Sequence, residues 1–303
     1  MIQKNTVVLV LGAGASAPYG FPSGDGLVDA IKKIGGRDIG EFLEQSPDYE
    51  SDHVQWFLEE FQKSGRNSID RFLQHRSEFS NVGRSMIAYQ LMRTEHPPGL
   101  FESRDRRWYT YFYNNILNPE SPKDFDKNRL RIITYNYDRS FEAFLFSALR
   151  SGFDLSEGKT ADRMRSVPII HVHGSFGDLP GMGHNVREYL PNFAGIKQAI
   201  HRLNIVSDDI ERSGVLEQCG EVLRGASHVV FLGFGFDSVN LGRLQLEENC
   251  PDASFDCTAY GFVDSEIEHL IKPYFSARKL KLTYPNPQWD CLTFLRNKRH
   301  IFV

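Results

Sequence analysis

A glycine-rich turn near the N-terminus has the spacing of a phosphate-binding loop. Gly12, Gly14 and Ala17 follow the apolar run Thr6–Leu11 in the order Gly-x-Gly-x-x-Ala. The first glycine permits a tight turn, the second lets the backbone approach a pyrophosphate, and the small third residue lets helix and strand pack closely. Amides at the start of the following helix then face the phosphates. The spacing predicts a dinucleotide site, and the alternative is a plain strand–helix turn.

An asparagine and an aspartate follow a second strand-like run. Asn136 and Asp138 come directly after the apolar run Leu130–Thr134. Ligands of open α/β sheets bind outside the carboxyl ends of the strands, so these two side chains are expected beside a substrate. The alternative is that Asn136 caps the helix that follows.

Two histidines close a third strand-like run, in the segment His171-Val172-His173-Gly174-Ser175. Because they are two positions apart, they lie on one face of an extended chain. No third metal ligand is recognisable nearby, so no metal site is predicted. His171 is expected to pack in the core. His173 adjoins the flexible Gly174 and is expected to reach a cleft, where an imidazole that titrates near neutrality suits a general base.

A fourth run ends in Gly233, Phe234 and Gly235, with Asn240 shortly after. Glycines at a strand end mark a close approach of backbone or ligand. Asn240 is expected to hydrogen-bond a ribose or an adenine edge. The alternative is a strand–helix turn in which Asp237 or the residue after it is the N-cap.

Strand-like and helical segments alternate along most of the chain, which predicts a mostly parallel sheet with right-handed crossovers. Strands are expected at Thr6–Leu11, Leu130–Tyr135, Val167–Val172, His228–Leu232 and Phe255–Phe262. Between residues 37 and 125 apolar residues recur at helical spacing instead. The predicted fold is therefore α/β, with a Rossmann-like core formed by residues 1–36 and 126–303 and a helical insertion or lid at 37–125.

Composition excludes several classes of protein. The 303 residues carry 35 basic and 39 acidic side chains, a net charge of −4, so direct nucleic-acid binding is disfavoured. The cysteines form no C-x-x-C pair, which indicates free thiols in a reducing cytosol. The first apolar run is too short to cross a membrane, and a cytoplasmic location is expected. No acidic residue ends a second strand about 20 positions after the glycine turn, which disfavours a dehydrogenase.

The motifs together resemble the sirtuin superfamily. The segments Gly12–Ser16 and Gly20–Pro22 are similar to the signature Gly-Ala-Gly-Ile-Ser…Gly-Ile-Pro without a gap. Asn136 and Asp138 fall on the Thr-Gln-Asn-x-Asp motif, and His173 with the glycine after it falls on the His-Gly motif. The likeness runs from about residue 5 to residue 262 and makes the Rossmann-like part a sirtuin-type catalytic core.

The chain departs from the protein-deacylating sirtuins in three places. Ser23-Gly24-Asp25 stands where those enzymes have Asp-Phe-Arg. Their four-cysteine zinc module after the His-Gly motif is missing, since Cys219 is the only cysteine between Gly174 and Gly233. Their Phe-Gly-Glu peptide-docking strand is missing as well. An acyl-lysine peptide therefore lacks its usual seat, and no zinc is expected.

The resemblance is closer to the bacterial sirtuin-like NAD⁺ hydrolases of antiphage defence. The phrases Ser68–Leu73, Trp108–Phe112 and Phe231–Phe236 are similar to segments of that group. Such a resemblance implies that NAD⁺ is the substrate, that nicotinamide and ADP-ribose are the products, and that the chain is an abortive-infection effector. It further implies a homo-oligomer, or a partner such as a hexameric DNA-translocase-type ATPase or a phage-derived activator.

The resemblance also implies roles for individual residues. Asn136 orients the ribose or the water, His173 acts as general base or ribose-hydroxyl partner, and Asp138 accepts a hydrogen bond from the nicotinamide amide. The catalytic residues are then Asn136 and His173, and the substrate-binding residues are Gly12, Ala13, Gly14, Ala15, Ser16, Pro22, Asp138, Gly174, Ser175, Gly233, Phe234, Gly235 and Asn240. The alternatives are a protein deacylase or ADP-ribosyltransferase, and a non-catalytic sensor of NAD⁺ or ADP-ribose.

Overall fold

A six-stranded parallel sheet forms the centre of the protein. The computed structural model describes residues 1–46, 48–102, 107–191, 200–204, 207–283 and 285–302. Neighbouring strands follow the order β3-β2-β1-β4-β5-β6, all parallel. The strands are β1 Val7–Leu11, β2 Leu130–Thr134, β3 Ile169–His171, β4 His228–Leu232, β5 Ser254–Cys257 and β6 Lys281–Leu282.

Strand β1 is buried on both faces and separates two hydrophobic clusters. Val7, Leu9 and Leu11 join a cluster that includes the helices between β1 and β2. Val8 and Val10 join the other cluster, which is built mostly from the C-terminal half of the chain. This division follows from the two-residue period of a strand, and it explains why β1 is a continuous apolar run.

The helices cover both faces of the sheet and fill the long connection between β1 and β2. None of those in the described residues combines the length and the apolar character needed to cross a membrane. They are α1 Ala13–Ser16, α2 Gly24–Lys32, α3 Gly36–Gln45, α4 Ser51–Lys63, α5 Ile69–His75, α6 Ser80–Met92, α7 Pro97–Phe101, α8 Tyr109–Phe112, α9 Pro122–Phe125, α10 Ser140–Gly152, α11 Glu157–Met164, α12 Ser207–Arg212, α13 Val215–Leu223, α14 Ser238–Arg243, α15 Leu246–Asn249, α16 Asp264–Glu266, α17 Lys272–Ala277 and α18 Cys291–Asn297.

Short 3₁₀ and π segments complete the helical structure. The 3₁₀ segments are Ala17–Tyr19, Ser77–Phe79 and Arg299–Phe302, and the π segments are Tyr113–Leu117 and Ile267–Ile271.

The segment between residues 37 and 125 forms helices and no strand in its described part, residues 37–46, 48–102 and 107–125. Two of its hydrogen bonds reach the residues that follow β1. Trp108 donates its indole N–H to the Ala15 carbonyl at 2.8 Å, and the Tyr109 amide donates to the Tyr19 hydroxyl at 2.7 Å. The helical segment thus holds the glycine turn, while its separation as an insertion remains an interpretation.

The strand predicted at Phe255–Phe262 is shorter in the structure, where β5 ends at Cys257. Thr258 still donates its N–H to the Phe231 carbonyl of β4 at 2.9 Å, and its hydroxyl accepts the Gly233 amide at 2.8 Å. The apolar run after Cys257 therefore supports the turn after β4 instead of extending the sheet. Strand β6 was not predicted because two residues carry no period. The helical stretch predicted from Ile196 to Arg224 lies partly outside the described residues.

The carboxyl ends of three neighbouring strands are level with one another. Leu11 pairs with Thr134 on one side and with Leu232 on the other. The chain passes from β1 to β2 and β3 on one side and then crosses to β4 on the other. Ligands of open α/β sheets bind at such a switch point. The residues that follow these three strands are therefore brought together at one edge.

Candidate functional site

A cleft opens at the carboxyl edge of the sheet, at the switch point between β1 and β4. We call its deeper part the inner chamber. Its empty volume, which includes space open to solvent, is about 880 Å³. It is lined by Gly12, Ala13, Phe21, Pro22, Ser23, Gly24, Leu27, Asn67, Ser68, Ile69, Asp70, Leu91, Tyr135, Asn136, Tyr137, Asp138, His173, Phe234, Gly235 and Asn240.

A second, more polar space adjoins it, which we call the outer chamber. The two chambers share five lining residues, so they form one continuous cleft. The outer chamber has an empty volume of about 890 Å³ and is lined by Asn67, Ser68, Asp70, Arg71, Gln74, His173, Asp237, Val239, Asn240 and Arg243.

The glycine turn borders the inner chamber with its first two residues only. Gly12 and Ala13 line the chamber, whereas Gly14, Ala15 and Ser16 do not. Gly14 donates its N–H to the Gly233 carbonyl at 2.9 Å, and Ala15 donates to the Gly12 carbonyl at 2.9 Å. The Gly12 N–H is also used, by a carbonyl at the end of β4. The turn therefore offers a phosphate fewer free amides than its spacing predicts.

Gly233 packs the turn after β4 against the turn after β1. Its φ is +58°, and a Cβ at this position would lie 2.0 Å from the Ala15 nitrogen. Only glycine fits such a contact without a backbone shift. Gly233 does not line either chamber, whereas Phe234 and Gly235 line the inner one. In the segment Gly233-Phe234-Gly235, the last two residues therefore line the chamber, while Gly233 allows the two turns to pack together.

Asn136 extends its side chain into the glycine turn. Its Nδ2 donates to the Gly12 carbonyl at 3.0 Å and lies 3.4 Å from the Ser16 hydroxyl. Helix α10 starts only at Ser140, so the alternative that Asn136 caps this helix is wrong. The Asn136 Oδ1 atom is buried and has no partner among the described residues, although the residue is only 8% exposed. A buried acceptor without a partner costs about 1–3 kcal/mol, which favours a ligand or water there.

His173 lines both chambers and is held in one orientation. Its Nδ1 lies 3.2 Å from the Asn204 carbonyl, which only accepts, so Nδ1 carries the proton and Nε2 keeps its lone pair. Burial lowers the pKa of His173, although the nearby Asp70 carboxylate opposes this shift. Gly174, the next residue, has φ +76°, and a Cβ there would lie 1.7 Å from the Arg202 carbonyl. The glycine thus lets the chain carrying Asn204 approach the imidazole.

Asp138 lies in the wall of the inner chamber near Asn136. Its Oδ1 accepts the Ser140 backbone N–H at 3.0 Å and the Ser140 hydroxyl. Burial raises the pKa of Asp138, and the bonds from Ser140 oppose this shift. Pro22 and Asn240 also line this chamber, but Ser175 lines neither chamber.

Asp70 was missed at the level of the sequence because it lies in the segment taken as an insertion. It follows Ser68, whose hydroxyl accepts the Arg71 N–H and caps α5. The Tyr137 hydroxyl donates to the Asp70 Oδ1 at 2.9 Å. Burial raises the pKa of Asp70, and the positive form of His173 opposes the shift. The resemblance of Ser68–Leu73 to the defence hydrolases was the only signal in the sequence that pointed to Asp70. It did not place Asp70 in this cleft, because the contact with Tyr137 spans 67 positions.

His171 lines neither chamber. It borders a separate small cavity on the other side of the turn that follows β2. Its Nδ1 lies 3.0 Å from the Asn136 carbonyl and its Nε2 lies 3.1 Å from the Glu142 carboxylate. Burial lowers the pKa of His171, but Glu142 and the carbonyl outweigh burial and raise it overall. His171 and His173 therefore do not face one site. Within the described residues no cluster of His, Cys, Asp or Glu is arranged to hold a metal ion.

Two arginines line the outer chamber. Arg71 forms an ion pair with Asp237 at 2.6 Å, which joins α5 to the residue before α14. Asp237 also accepts the N–H groups of the first turn of α14, so the N-cap alternative is confirmed. Arg243 donates to the Asn240 side-chain oxygen at 3.2 Å. The side-chain oxygen of Asn240, which was expected to bind a ribose or an adenine edge, therefore already accepts a bond from Arg243.

No protein-family model matches the chain, and no curated protein matches it. The fold defines the chain as a Rossmann-like α/β protein with a six-stranded parallel sheet. Its cleft lies at the switch point of that sheet. The likeness to sirtuins stays a resemblance of motifs.

Proposed function

We propose that the chain hydrolyses NAD⁺ at the bond between nicotinamide and ribose, releasing nicotinamide and ADP-ribose. The observation that carries the proposal is one chamber lined by Gly12, Asn136, Asp138 and His173. These residues come from motifs far apart in the sequence. Their meeting at the switch point, where α/β sheets bind nucleotides, supports a dinucleotide substrate.

The chemistry requires a water molecule and a proton acceptor. The C–N bond breaks through an oxocarbenium-like sugar, and its electron pair leaves with nicotinamide, which departs neutral. Water forms the new C–O bond at the same carbon and gives up one proton. His173 offers a basic Nε2, because its Nδ1–H is held by the Asn204 carbonyl. The lowered pKa of His173 keeps this base unprotonated near neutral pH.

Asn136 and Asp138 supply acceptors for the two ends of the scissile bond. The unpartnered Oδ1 of Asn136 suits a ribose hydroxyl or the attacking water. Its Nδ2 bond to the Gly12 carbonyl fixes the direction of that oxygen. Asp138 would accept the nicotinamide amide, as the resemblance implies. Both side chains are held by protein donors or acceptors before a substrate arrives, which favours preorganised binding.

A product analysis tests the proposal. Purified protein is incubated with NAD⁺ in ¹⁸O-water without any acyl or protein acceptor, and nicotinamide and ADP-ribose are separated. We expect both products, with the label in the new ribose hydroxyl. Asn136→Ala should lower the rate by about 10²-fold or more, on the scale of a lost catalytic group. Asn114→Ala, at an exposed asparagine on α8 and its π extension, is the control.

The outcomes separate the alternatives. Nicotinamide release only in the presence of an acceptor would favour a transferase. Tight binding of NAD⁺ without any product, even with lysate of phage-infected cells added, would favour a sensor. Equal rates in the wild-type protein and Asn136→Ala would remove the assignment of the site.

We further propose that NAD⁺ depletion by this chain serves antiphage defence from the cytoplasm, as a homo-oligomer or with a partner ATPase or phage-derived activator. This part is supported by the resemblance of Ser68–Leu73, Trp108–Phe112 and Phe231–Phe236 to the defence hydrolases. Measuring cellular NAD⁺ during infection, with wild-type protein and Asn136→Ala, tests it. An NAD⁺ level that stays constant in both cultures would contradict this role.

A further inference from the structure

The two arginines of the outer chamber differ in their charge partners. Arg71 is paired with Asp237 at 2.6 Å. Arg243 forms no ion pair with any residue that the structure describes, and its hydrogen bond goes to the neutral Asn240 side chain at 3.2 Å. Both guanidinium groups line the same space. Of the two arginines, Arg243 is therefore the one whose charge no described carboxylate pairs, and it is available to a ligand.

The acidic residues of the chamber do not cancel Arg243. Asp237 uses one oxygen for the N–H groups at the start of α14 and the other for Arg71. Asp70 accepts the Tyr137 hydroxyl, and among the described residues it forms no ion pair with Arg243. The positive charge of Arg243 acts to lower the pKa of both Asp70 and His173. An anion near Arg243 thus lies beside the proposed general base.

The glycine turn is poorly placed to bind a diphosphate by itself. The N–H groups of Gly12, Gly14 and Ala15 already bond to protein carbonyls. Two negative phosphates need compensating donors, and a guanidinium presents several in a planar fork that fits phosphate oxygens. Arg243 offers that fork in the space next to the inner chamber.

We propose that Arg243 binds the diphosphate of a dinucleotide in the outer chamber, and that the nicotinamide end then extends past His173 into the inner chamber. The substrate class and its direction rest on the proposed function. The diphosphate site itself does not, because it is defined by the chamber and its free cation. His173 lines both chambers and lies where the two halves of the dinucleotide meet.

Direct binding of ADP to the full chain tests this site without any reaction. ADP carries a diphosphate and lacks the bond to be cleaved. Titration calorimetry at constant ionic strength is expected to show that Arg243→Gln weakens ADP binding at least tenfold. Adenosine, which lacks phosphate, should bind the two proteins alike.

A matched control lies outside the cleft. Arg150→Gln removes one positive charge at a surface ion pair with Glu157, away from the cleft residues, so the change in net charge is the same as in Arg243→Gln. ADP should bind this variant within about twofold of wild type.

The results separate this site from the proposed function. Equal ADP affinity in wild type and Arg243→Gln, or no ADP binding to either, overturns the Arg243 site even if NAD⁺ is hydrolysed. Loss of ADP binding in Arg243→Gln, with circular dichroism and Tm unchanged, supports the site even if no nicotinamide is released. An equal loss in Arg150→Gln would show that net charge alone acts, which also overturns it.

Discussion

The turn that follows β2 has polar side chains of the same kinds on its two sides, but they differ in how completely they are hydrogen-bonded. Behind the turn, both ring nitrogens of His171 face acceptors, the Asn136 carbonyl and Glu142. In front of it, in the part of the chain that the structure describes, one ring nitrogen of His173 has a hydrogen-bond partner and the Asn136 side-chain oxygen has none. Buried polar groups normally find partners. The satisfied side therefore stabilises the fold, and the unsatisfied side is the one expected to receive a ligand.

The pKa shifts of the two histidines follow the same division. Burial acts on both and lowers the pKa of each. At His171 the Glu142 carboxylate outweighs burial, so the pKa rises and the charged form is favoured. At His173 burial wins, so the pKa falls and the neutral form is favoured. Two positions in one segment thus shift the pKa of a histidine in opposite directions.

Removing the imidazole on the cleft side should have the largest effect. We expect His173→Ala to lower NAD⁺ turnover by about 10²–10⁴-fold, because a positioned base contributes this much. The free energy of unfolding should change much less, since among the described residues the ring makes one hydrogen bond and lines an open cleft. Steady-state kinetics and urea unfolding measure the two effects. His184→Ala, at an exposed histidine, serves as control. Normal turnover in His173→Ala would show that His173 is not the general base, and the proposed difference between the two sides would be wrong.

Removing the charge partner behind the turn should affect stability instead. Glu142→Gln is expected to lower the free energy of unfolding by about 1.5–3 kcal/mol at pH 6, the range for a hydrogen bond to a charged group. The raised pKa of His171 contributes stability below its unfolded pKa of about 6.5, and this contribution is lost as pH rises through the folded value. Urea unfolding should therefore show the difference shrinking above neutrality. A constant difference at all pH values would contradict a charged His171.

The acid limb of the rate profile should report the environment of His173. Burial lowers the pKa of His173, the Asp70 carboxylate raises it, and Arg243 and Asp237 make smaller lowering and raising contributions. Asp70→Asn should therefore move the acid limb of kcat/KM to lower pH, because a neutral neighbour no longer stabilises the imidazolium. The Tyr137 hydroxyl keeps an acceptor in this variant. A shift to higher pH, or none, would show that Asp70 does not act on this base.

Breaking the ion pair at the cleft mouth should have the smallest effect. The Arg71 and Asp237 side chains are 52% and 35% exposed, so solvent screens their attraction. Arg71→Gln is expected to lower the free energy of unfolding by under about 1 kcal/mol. Urea unfolding next to Glu142→Gln gives the comparison. A larger loss of unfolding free energy than in Glu142→Gln would show that the Arg71–Asp237 pair stabilises the fold more than the His171–Glu142 pair does.

Local patterns were enough for much of the fold. The β-branched and apolar residues of β1 predicted a strand buried on both faces, and β4 was predicted with its observed ends. The run after Cys257 looked like a longer strand because its residues are apolar. It leaves the sheet after Thr258, whose hydroxyl bonds the turn after β4 in a contact across 25 positions. Patterns of a few residues do not report such partners.

By itself the sequence determined which residues stand at the carboxyl ends of β1, β2 and β4, since strand ends follow from local periodicity and glycine. Only the tertiary structure decided which of their groups remain free. The amides of Gly14 and Ala15 are used by the protein. Among the described residues, Asn136 Oδ1 has no hydrogen-bond partner and Arg243 forms no ion pair. The physical reason is that hydrogen bonds and ion pairs form between groups distant in sequence, whose meeting depends on the packing of the whole chain.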